Sequence, residues 1–401
     1  MREPRVGRHS LLRRLNHAAV LELMARRGEL SRVELAEALT LSQASVSRIV
    51  EKLLWGGLLE ELPPRSNRSG RPQVPLAIRP AAAYVATIDM RRDRYRLRLA
   101  DLGGGLLAEA QVTVVDSQAD AEGIGAPHEP RPAVIDRAED AVEWVLALIA
   151  QAKRRCGVAG EPAALVVGVS AAWDEVGGRV FAARNVPYLE GVDLRAAVEA
   201  RSRTRVWVEN DVRLAALGEM EGGPPTLGED FYYLSVGSGV AGADVVDGTV
   251  HRGNSGLAGE VGYLRVPSAG SGTTDLGTVV GRDGLEERWR GLVGEDPLAH
   301  GLARMPVGAA EAAFRRELEA AVVAVLTAIA VVADPPVIVL GGSLGMSLEP
   351  LLADLSRGLA ERVPRAPRLA MSSLGADGAL VGGLRLALEL AREELLTALL
   401  D

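Results

Sequence analysis

The segment from Ser31 to Pro72 constrains the fold of this 401-residue chain more than any other. Ser31 and Glu34 have capping-box spacing, which predicts the start of a short helix. We expect this helix to bury Val33, Leu35, Ala36 and Leu39. A second helix is predicted after Leu41-Ser42, because apolar residues recur there with helical spacing. Its buried stripe is Val46, Ile49, Val50, Leu53 and Leu54.

The opposite face of the second helix is polar. It carries Gln43, Ser45, Ser47 and Arg48. Short polar groups with one fork-shaped donor suit a helix that enters a major groove and meets base edges. An ordinary solvated helix face has a similar composition, so the helix alone does not decide between the two interpretations.

A predicted β-hairpin with a basic tip follows the second helix. Gly56-Gly57 ends the helix, and strands are expected at Leu58–Leu62 and Val74–Ile78. The tip between them carries Arg65, Arg68 and Arg71. A basic hairpin beside a recognition helix can reach phosphates or a minor groove. The combination favours a winged helix-turn-helix that binds double-stranded DNA over a solvated loop.

The distribution of charge supports the same interpretation. Residues 1–79 contain 14 Lys and Arg and 8 Asp and Glu, a net charge of +6. The other 322 residues contain 31 basic and 45 acidic side chains, a net charge of −14. A local basic patch attracts nucleic acid even when the whole chain is acidic. One end is therefore expected to dock on DNA while the rest has another task.

Length and composition set further bounds. A chain of 401 residues is long enough for two or three domains. The single cysteine, Cys156, excludes an intramolecular disulfide framework and favours a reducing cytoplasm. No signal peptide is apparent, and the apolar run Ala320–Ala333 is too short to span a bilayer. We expect a cytoplasmic protein with no membrane partner.

The chain beyond about Ala81 predicts an α/β body. An antiparallel meander is expected at Tyr84–Met90, Tyr95–Leu102 and Leu106–Val115, followed by a polar surface loop over 117–132. Helices are predicted at Ala133–Lys153, Val212–Glu221 and Ala309–Ala333, and the chain ends with a turn and helix over Leu374–Leu400. Further strands are predicted at Ala164–Val169, Val206–Glu209, Phe231–Val236, Ala241–Val246 and Pro336–Leu340.

Two meanders, each followed by crossover helices, indicate two lobes with a cleft between them. We expect a winged helix-turn-helix domain over residues 1–80. The smaller lobe is expected over 81–206, with the C-terminal helix, 380–401, returning to it. The larger lobe is expected over 207–379.

Three segments carry a resemblance to a known family. They are ENDVRLAALGE (209–219), LSVGSGVAGADVVDGTVHRGNSGLAGEVG (234–262) and VIVLGGSLG (337–345). In this order they resemble the ROK family (repressor, open reading frame, kinase), which groups sugar kinases with sugar-responsive repressors. The resemblance implies an actin-like, sugar-kinase-like body behind the winged helix, and a homodimer or higher homo-oligomer.

The family's first phosphate loop is altered in this chain. The family has an Asp followed by paired glycines whose backbone approaches the nucleotide, but here Asp89 is followed by Met90–Arg94 without a glycine. Bulky side chains should block that approach. The similar string Asp101–Gly105 falls one element too late and predicts a hairpin turn. Gly237-Ser238-Gly239 and Gly341-Gly342 are kept, although tight hairpins also favour glycine.

The resemblance also implies sugar-binding residues. Asp211 matches the family's catalytic base and Asn210 its hydroxyl-gripping neighbour, while Glu260 matches another sugar-gripping carboxylate. Alternatively, Asp211 caps the following helix and Glu260 is an ordinary surface carboxylate. Asn185 matches loosely a loop near the sugar. Glu287 matches a second sugar-facing glutamate, although Glu286 is equally well placed.

The family's structural zinc site does not fit this sequence. Tyr263 stands at the position of the family's His, and three Cys positions hold Thr278, Val280 and Leu285. Zinc needs about four nitrogen or sulfur ligands. We therefore expect neither zinc nor any other cofactor, and hydrophobic packing at Val280 and Leu285 in place of metal bonds.

These observations favour a DNA-binding transcriptional regulator, a repressor, that senses a sugar or sugar phosphate through a catalytically degenerate body. Its expected partners are a double-stranded DNA operator and the sugar or sugar-phosphate effector. An active ATP-dependent sugar kinase with an appended DNA-binding domain is the alternative. A repressor without ligand sensing would fit the lost zinc site but not the retained Asn210, Asp211 and Glu260.

Overall fold

A computed structural model gives the fold. It describes residues 6–65, 73–115, 133–223, 228, 230–267, 273–294, 296–304 and 306–401. The predicted surface loop over 117–132 lies outside these residues. No helix among the described residues has the length and apolar character needed to cross a membrane.

The N-terminal part combines three helices with a small antiparallel sheet. The helices are α1 (Val6–Arg27), α2 (Arg32–Ala38) and α3 (Gln43–Trp55). The strands β1 (Leu30–Ser31), β2 (Leu59–Glu61) and β3 (Pro75–Ile78) lie in the order β1-β3-β2. These helices and strands follow the order expected for a winged helix-turn-helix, in which α3 would be the second helix of the motif.

Local signals in the sequence explain the two short helices. The predicted capping box is confirmed: Glu34 Oε2 accepts from Ser31 N at 2.7 Å, and Ser31 Oγ accepts from Glu34 N at 3.3 Å. Ser42 caps α3, and Gly57, with φ of +69°, follows its end. The expected burial of Val33 is wrong: the short helix leaves this side chain exposed.

A six-stranded sheet follows, in the order β11-β8-β4-β5-β6-β7. Its strands are β4 (Tyr84–Met90), β5 (Arg94–Asp101), β6 (Leu106–Val115), β7 (Ala133–Val134), β8 (Leu165–Val169) and β11 (Val206–Asn210). The predicted meander β4-β5-β6 is confirmed, and β8 and β11 add parallel strands. Gly104 N donates to Asp101 O at 2.9 Å, so Asp101–Gly105 is the predicted turn.

Helices flank this sheet, with one difference from the sequence prediction. They are α4 (Ala138–Cys156) and α5 (Leu194–Ser202). The helix that was expected from Ala133 starts at Ala138, because Ala133–Val134 instead pair with β6. A two-stranded hairpin, β9 (Ala172–Asp174) and β10 (Arg179–Phe181), extends beyond β8.

A second sheet has the order β14-β13-β12-β17-β18. Its strands are β12 (Phe231–Val236), β13 (Val240–Val246), β14 (Thr249–Val250), β17 (Val337–Gly341) and β18 (Arg368–Met371). A separate hairpin pairs β15 (Arg265–Pro267) with β16 (Thr273–Asp275). The accompanying helices are α7 (Leu276–Val280), α8 (Arg282–Val293), α9 (Leu298–Ala303), α10 (Gly308–Val332) and α11 (Leu352–Ala360).

Two helices connect the parts of the molecule. Helix α6 (Asp211–Gly222) follows β11, and helix α12 (Gly378–Leu400) ends the chain. Strand β11 runs across the expected lobe boundary at residue 206 and remains in the first sheet up to Asn210. Helix α12 packs against α6, β4, β8 and α1. Its buried residues share one hydrophobic cluster with the winged helix and the first sheet.

Glycines set the distance between α6 and α12. A Cβ atom at Gly382 would lie 1.8 Å from Leu214 O, and one at Gly218 would lie 2.3 Å from Gly378 O. Neither distance leaves room for a methyl group, so the two helix backbones touch. Because packed interiors resist added volume, the crossing holds the helices in one arrangement.

We expect Gly382→Ala to lower the free energy of unfolding by about 1–3 kcal/mol, because the added methyl group overlaps the backbone of α6. Chemical denaturation of the full chain measures the effect. Gly291→Ala is the matched control, since it lies in α8 with no atom within 4 Å of the added Cβ. This control should be neutral or stabilising by up to about 1 kcal/mol. Equal stability of Gly382→Ala and the parent would contradict the close crossing.

Candidate functional site

A cavity of about 960 Å³ lies between the two sheets. It opens at the carboxyl ends of β4, β8 and β11 in the first sheet and of β12 and β17 in the second. Ligands in α/β proteins bind at this edge, where loops leave the strands. Four of the five predicted sugar-binding residues line the cavity: Asn185, Asn210, Asp211 and Glu260.

Asn210 forms the N-cap of α6. Its Oδ1 accepts from Val212 N at 2.9 Å and Arg213 N at 3.1 Å, and its Nδ2 donates to Ala171 O at 3.0 Å. The amide oxygen is therefore committed to the helix, and one amide N–H is left for a ligand. The alternative interpretation of the sequence made Asp211 the N-cap of this helix. The structure gives that role to Asn210.

Asp211 is the first residue of α6 and directs a carboxyl group at the cavity. Its pKa is raised to about 7, mainly because the group is desolvated and also because the Asp89 carboxylate lies nearby. The guanidinium of Arg91 opposes this rise. A carboxyl group whose pKa lies near neutral pH can accept a hydrogen bond or a proton from a hydroxyl group.

Glu260 reaches the cavity from the loop after β14. Burial raises the pKa of this carboxyl group, and the charges of Arg213 and Arg184 oppose the rise. Arg213 holds the loop, because its guanidinium donates to Gly256 O at 2.7 Å and Ala258 O at 3.2 Å. The sequence interpretation did not identify Arg213 as a supporting residue, although its i+4 spacing from Glu209 anticipates their ion pair.

Two weaker sequence matches have different outcomes. Asn185 lines the cavity and donates from Nδ2 to Ser170 Oγ at 3.2 Å. Glu287 lies exposed on α8 and does not line the cavity. Glu286 is also outside the lining, but its Oε1 lies 3.6 Å from Nε of the cavity residue Arg282.

Arg91 occupies the place where the family's first phosphate loop has glycine. Its Nε donates to Asp89 Oδ2 at 2.7 Å, and its charge also acts on Asp211. Asp89 is buried, which raises the pKa of its carboxyl group, and Arg91 opposes this rise. The cavity therefore contains a side-chain cation where a kinase needs backbone N–H groups and open space. The sequence indicated the loss of the cradle but not this ion pair.

The positions of the family's zinc ligands have other roles here. Val280 and Leu285 are buried in the core of the second lobe, as expected from their apolar side chains. Tyr263 lines the cavity, and the guanidinium carbon of Arg184 lies 4.0 Å from its ring centroid. Hydrophobic packing and a cation–π contact thus occupy positions that correspond to the family's zinc ligands.

The predicted DNA-binding face lies on α3. Gln43 and Arg48 are exposed, while Ser45 and Ser47 are partly buried. Arg48 Nε makes a long contact of 3.3 Å with Ala44 O, which leaves its guanidinium NH2 groups available. Ser45 Oγ lies 2.9 Å from Ser42 Oγ and is thus partly engaged at the helix start.

The arm of the winged helix is described only at its base. Arg65 pairs with Glu29 and forms a β-bridge with Gln73. Arg68 and Arg71, the other predicted contacts, lie outside the described residues. Arg65 would have to exchange its carboxylate partner for a phosphate in order to contact DNA.

Known proteins resemble this chain in sequence. The sequence profile of the ROK family matches residues 128–390. A xylose repressor from Caldicellulosiruptor bescii is 26% identical over 261 residues, which cover 65% of this chain and 61% of that protein. The DNA-binding transcriptional dual regulator NagC from Escherichia coli (strain K12) is 25% identical over 273 residues, with coverages of 67% and 61%. The chain thus matches less than two thirds of the length of these relatives.

Solved structures share the fold. A ROK family transcriptional regulator, described as a homolog of the E. coli MLC protein, superposes with a TM-score of 0.75 at 18% identity. The match covers 97% of this chain and 99% of that structure. A ROK hexokinase from Thermus thermophilus has a TM-score of 0.57 at 25% identity and covers 76% of this chain and 97% of its own. The profile match over more than half of the sequence shows that this chain belongs to the ROK family.

Proposed function

We propose that this chain is a cytoplasmic DNA-binding transcriptional regulator, a repressor, that senses a sugar or sugar phosphate and does not phosphorylate it. One observation carries the proposal: Arg91 fills the first phosphate loop, while Asn210, Asp211 and Glu260 still line the same cavity. Hydroxyl-binding groups are thus retained where the phosphate-transfer machinery is lost.

The cavity supports sugar binding. Carboxylates and amides that converge from several loops can each form hydrogen bonds with more than one hydroxyl group, which gives orientation as well as affinity. Asp211 and Glu260 supply acceptors, and Asn210 supplies its remaining amide N–H. The names of the relatives, a xylose repressor and NagC, support a sugar-responsive role.

The winged helix supports DNA binding by two copies of the chain. A recognition helix with an exposed Gln43 and Arg48 fits a major groove, and pairing of two copies would match a palindromic operator. We propose a homodimer or higher homo-oligomer for this reason.

Packing supports communication between the cavity and the recognition helix. Helix α6 begins at Asp211 in the cavity and crosses α12 at the glycine contact. The far end of α12 reaches the winged helix, where Leu399 lies over Gly56 at the end of α3 and Asp401 pairs with Arg14 at 3.1 Å. A ligand that favours one position of α6 would bias α3 through this path, in proportion to its differential affinity for the two states.

A functional sugar kinase is the second candidate. The raised pKa of Asp211 suits a general base, and Gly237, Ser238 and Gly239 still line the cavity. Arg91 weighs against this candidate because it occupies space needed by the phosphates of a nucleotide. Loss of ligand sensing altogether remains the third interpretation, in which the cavity would bind no sugar.

One prediction of the proposed function concerns DNA. Arg48→Ala should weaken binding of the full chain to a duplex selected from random sequences by about 1–3 kcal/mol and relax base preference at one position. Gel-shift titration measures the affinity. Arg362→Ala, an exposed arginine in the larger lobe, is the control and should bind as the parent does. Absence of any DNA affinity in the parent at low salt would overturn the DNA-binding role.

The second prediction concerns the ionisation of Asp211. A thermal-shift screen of sugars identifies the best ligand, whose affinity is then measured at about pH 6 and about pH 8, on either side of the Asp211 pKa. The ionised carboxylate is the better acceptor, so the affinity of the parent should rise with pH through about 7. Asp211→Asn lacks this group and should show weaker binding without that rise. Identical pH profiles would remove Asp211 from the sugar site.

The third prediction concerns catalysis. With ATP, Mg²⁺ and each sugar of the screen, turnover should stay far below ~1 per second, the lower range of ordinary enzymes. A coupled ADP assay measures the rate, and Asp211→Ala identifies any background that does not come from the cavity. Turnover at an ordinary enzyme rate that is lost in Asp211→Ala would favour the kinase instead.

A further inference from the structure

The turn over residues 372–377 connects the cavity to the start of α12. It follows β18 of the second sheet, and α12 begins at Gly378 directly after it. Gly375, within the turn, lines the cavity. Because α12 packs on the first sheet, this short segment is one of the covalent connections between the two lobes. The cavity wall at Gly375 therefore lies only three residues from the helix that reaches the winged helix.

One side of the turn is anchored by Glu219 of α6. This side chain is buried, and its carboxyl group accepts from the backbone N and the hydroxyl of Ser373 at 3.3 and 3.1 Å and from Leu374 N at 3.4 Å. The Ser372 hydroxyl donates to the same carboxyl group and accepts from Gly375 N at 3.0 Å. Moving the turn would leave a buried carboxyl group without these donors, which is costly. Glu219 thus fixes the turn to α6.

The other side of the turn is held by Asp377, which lies at the N-cap position of α12. An aspartate at this position normally accepts a hydrogen bond from the backbone of its own helix. In the part of the chain that the structure describes, the Asp377 carboxylate makes no such bond. Instead its Oδ1 accepts from Arg96 Nη2 and its Oδ2 accepts from Arg98 Nη2 at 2.7 Å, and both arginines belong to β5. The carboxylate therefore fastens the start of α12 to the first sheet.

The two anchors differ in how easily they can be released. Glu219 is 1% exposed, whereas the Asp377 side chain is 41% exposed. A partly exposed ion pair can exchange its partner for water at a modest cost and is weakened by salt, whereas a buried carboxyl group has no water to replace its donors. The contact of Asp377 can therefore open while Glu219 keeps the turn on α6.

Arg96 connects the contact of Asp377 with the cavity. It lies opposite Asp89 in the pairing of β4 with β5. Burial raises the pKa of the Asp89 carboxyl group, and the charges of Arg91 and Arg96 oppose this rise. Arg91 lines the cavity and pairs with Asp89 at 2.7 Å. Charged groups thus form a contiguous series from the cavity wall to the start of α12, and such a series can couple two sites when an element at one end has two arrangements.

We propose that Asp377 is a positioning residue that sets the position of α12 according to the state of the cavity. While its carboxylate holds Arg96 and Arg98, the start of α12 is fastened to the first sheet, and release lets that end shift around the glycine crossing with α6. The other end of α12 meets the winged helix at Gly56, so the shift alters how α3 is presented to DNA. This inference rests on the proposed sensing function and identifies the contact through which the response passes.

Hydrogen exchange of the full chain without any sugar tests the contact itself. Asp377→Asn keeps the shape of the side chain and removes the charge that holds two guanidinium groups. Backbone amides in the first two turns of α12 should exchange about fivefold or more faster than in the parent, while those of β17 should not change. Glu389→Gln is the control, because Glu389 is an exposed carboxylate of the same helix that pairs with Arg385 one turn away. This control should leave exchange at the helix start unchanged.

DNA affinity measured with and without sugar tests the coupling. The duplex is the one selected for the parent, and the probes are xylose, glucose, N-acetylglucosamine and the 6-phosphates of the two hexoses. The best-bound probe, at saturation, should change the DNA affinity of the parent and of Glu389→Gln about fivefold or more. Asp377→Asn should bind this probe within about threefold of the parent, but its DNA affinity should change by less than about twofold. Asp377→Glu restores the carboxylate and should recover most of the response.

Arg96→Gln removes the other side of the same contact and serves as the second test if the thermal melt of Asp377→Asn reveals a folding defect. Its loss of response should match that of Asp377→Asn. Exchange at the start of α12 equal to that of the parent, or a full response to the probe in both variants, would overturn the role of Asp377 while sugar sensing stands. A parent whose DNA affinity no probe changes would overturn sugar sensing, and the positioning role with it, whatever the exchange rates are.

Discussion

The close crossing of α6 and α12 is the contact on which the rest of the arrangement depends. Because Gly218 and Gly382 lack side chains, the two helix backbones touch, and neither helix can slide without displacing the other. Helix α6 carries Asp211 at its first residue, whereas α12 ends against the winged helix. The same contact therefore joins the cavity, the first sheet and the recognition helix, and the shared hydrophobic cluster adds apolar burial along the whole length of α12.

The ion pairs around the cavity determine which of its charged groups are compensated. Arg91 compensates the buried Asp89 carboxylate, so removal of either partner would be costly. The pKa of Asp211 lies at about 7, because burial and the Asp89 carboxylate raise it while the charge of Arg91 lowers it. The side-chain oxygen of Asn210 accepts a hydrogen bond from the backbone of the helix that it caps. The cavity thus combines the Asp211 and Glu260 carboxyl groups with the guanidinium of Arg91.

Sequence patterns predicted the elements well and the contacts between them less well. Capping residues, period-two alternation and the Asp101–Gly105 turn are local signals, so helix α3 and the meander β4-β5-β6 follow from them. The start of α4 at Ala138 was missed because pairing of Ala133–Val134 with β6 is a tertiary effect. Motif matching selected Asn210, Asp211 and Glu260, which line the cavity, and Glu287, which lies exposed on α8 outside that lining.

The length of α12 has a mechanical consequence. A helix of 23 residues spans about 34 Å at 1.5 Å per residue. It behaves as a lever with its fulcrum near Gly382 and its load at Leu399 and Asp401. A tilt of about 5° around Gly382 displaces the far end of the helix, about 27 Å away, by about 2 Å. A displacement at the cavity end of α12, a few residues before Gly382, is therefore several times larger where the helix meets Gly56 at the end of α3.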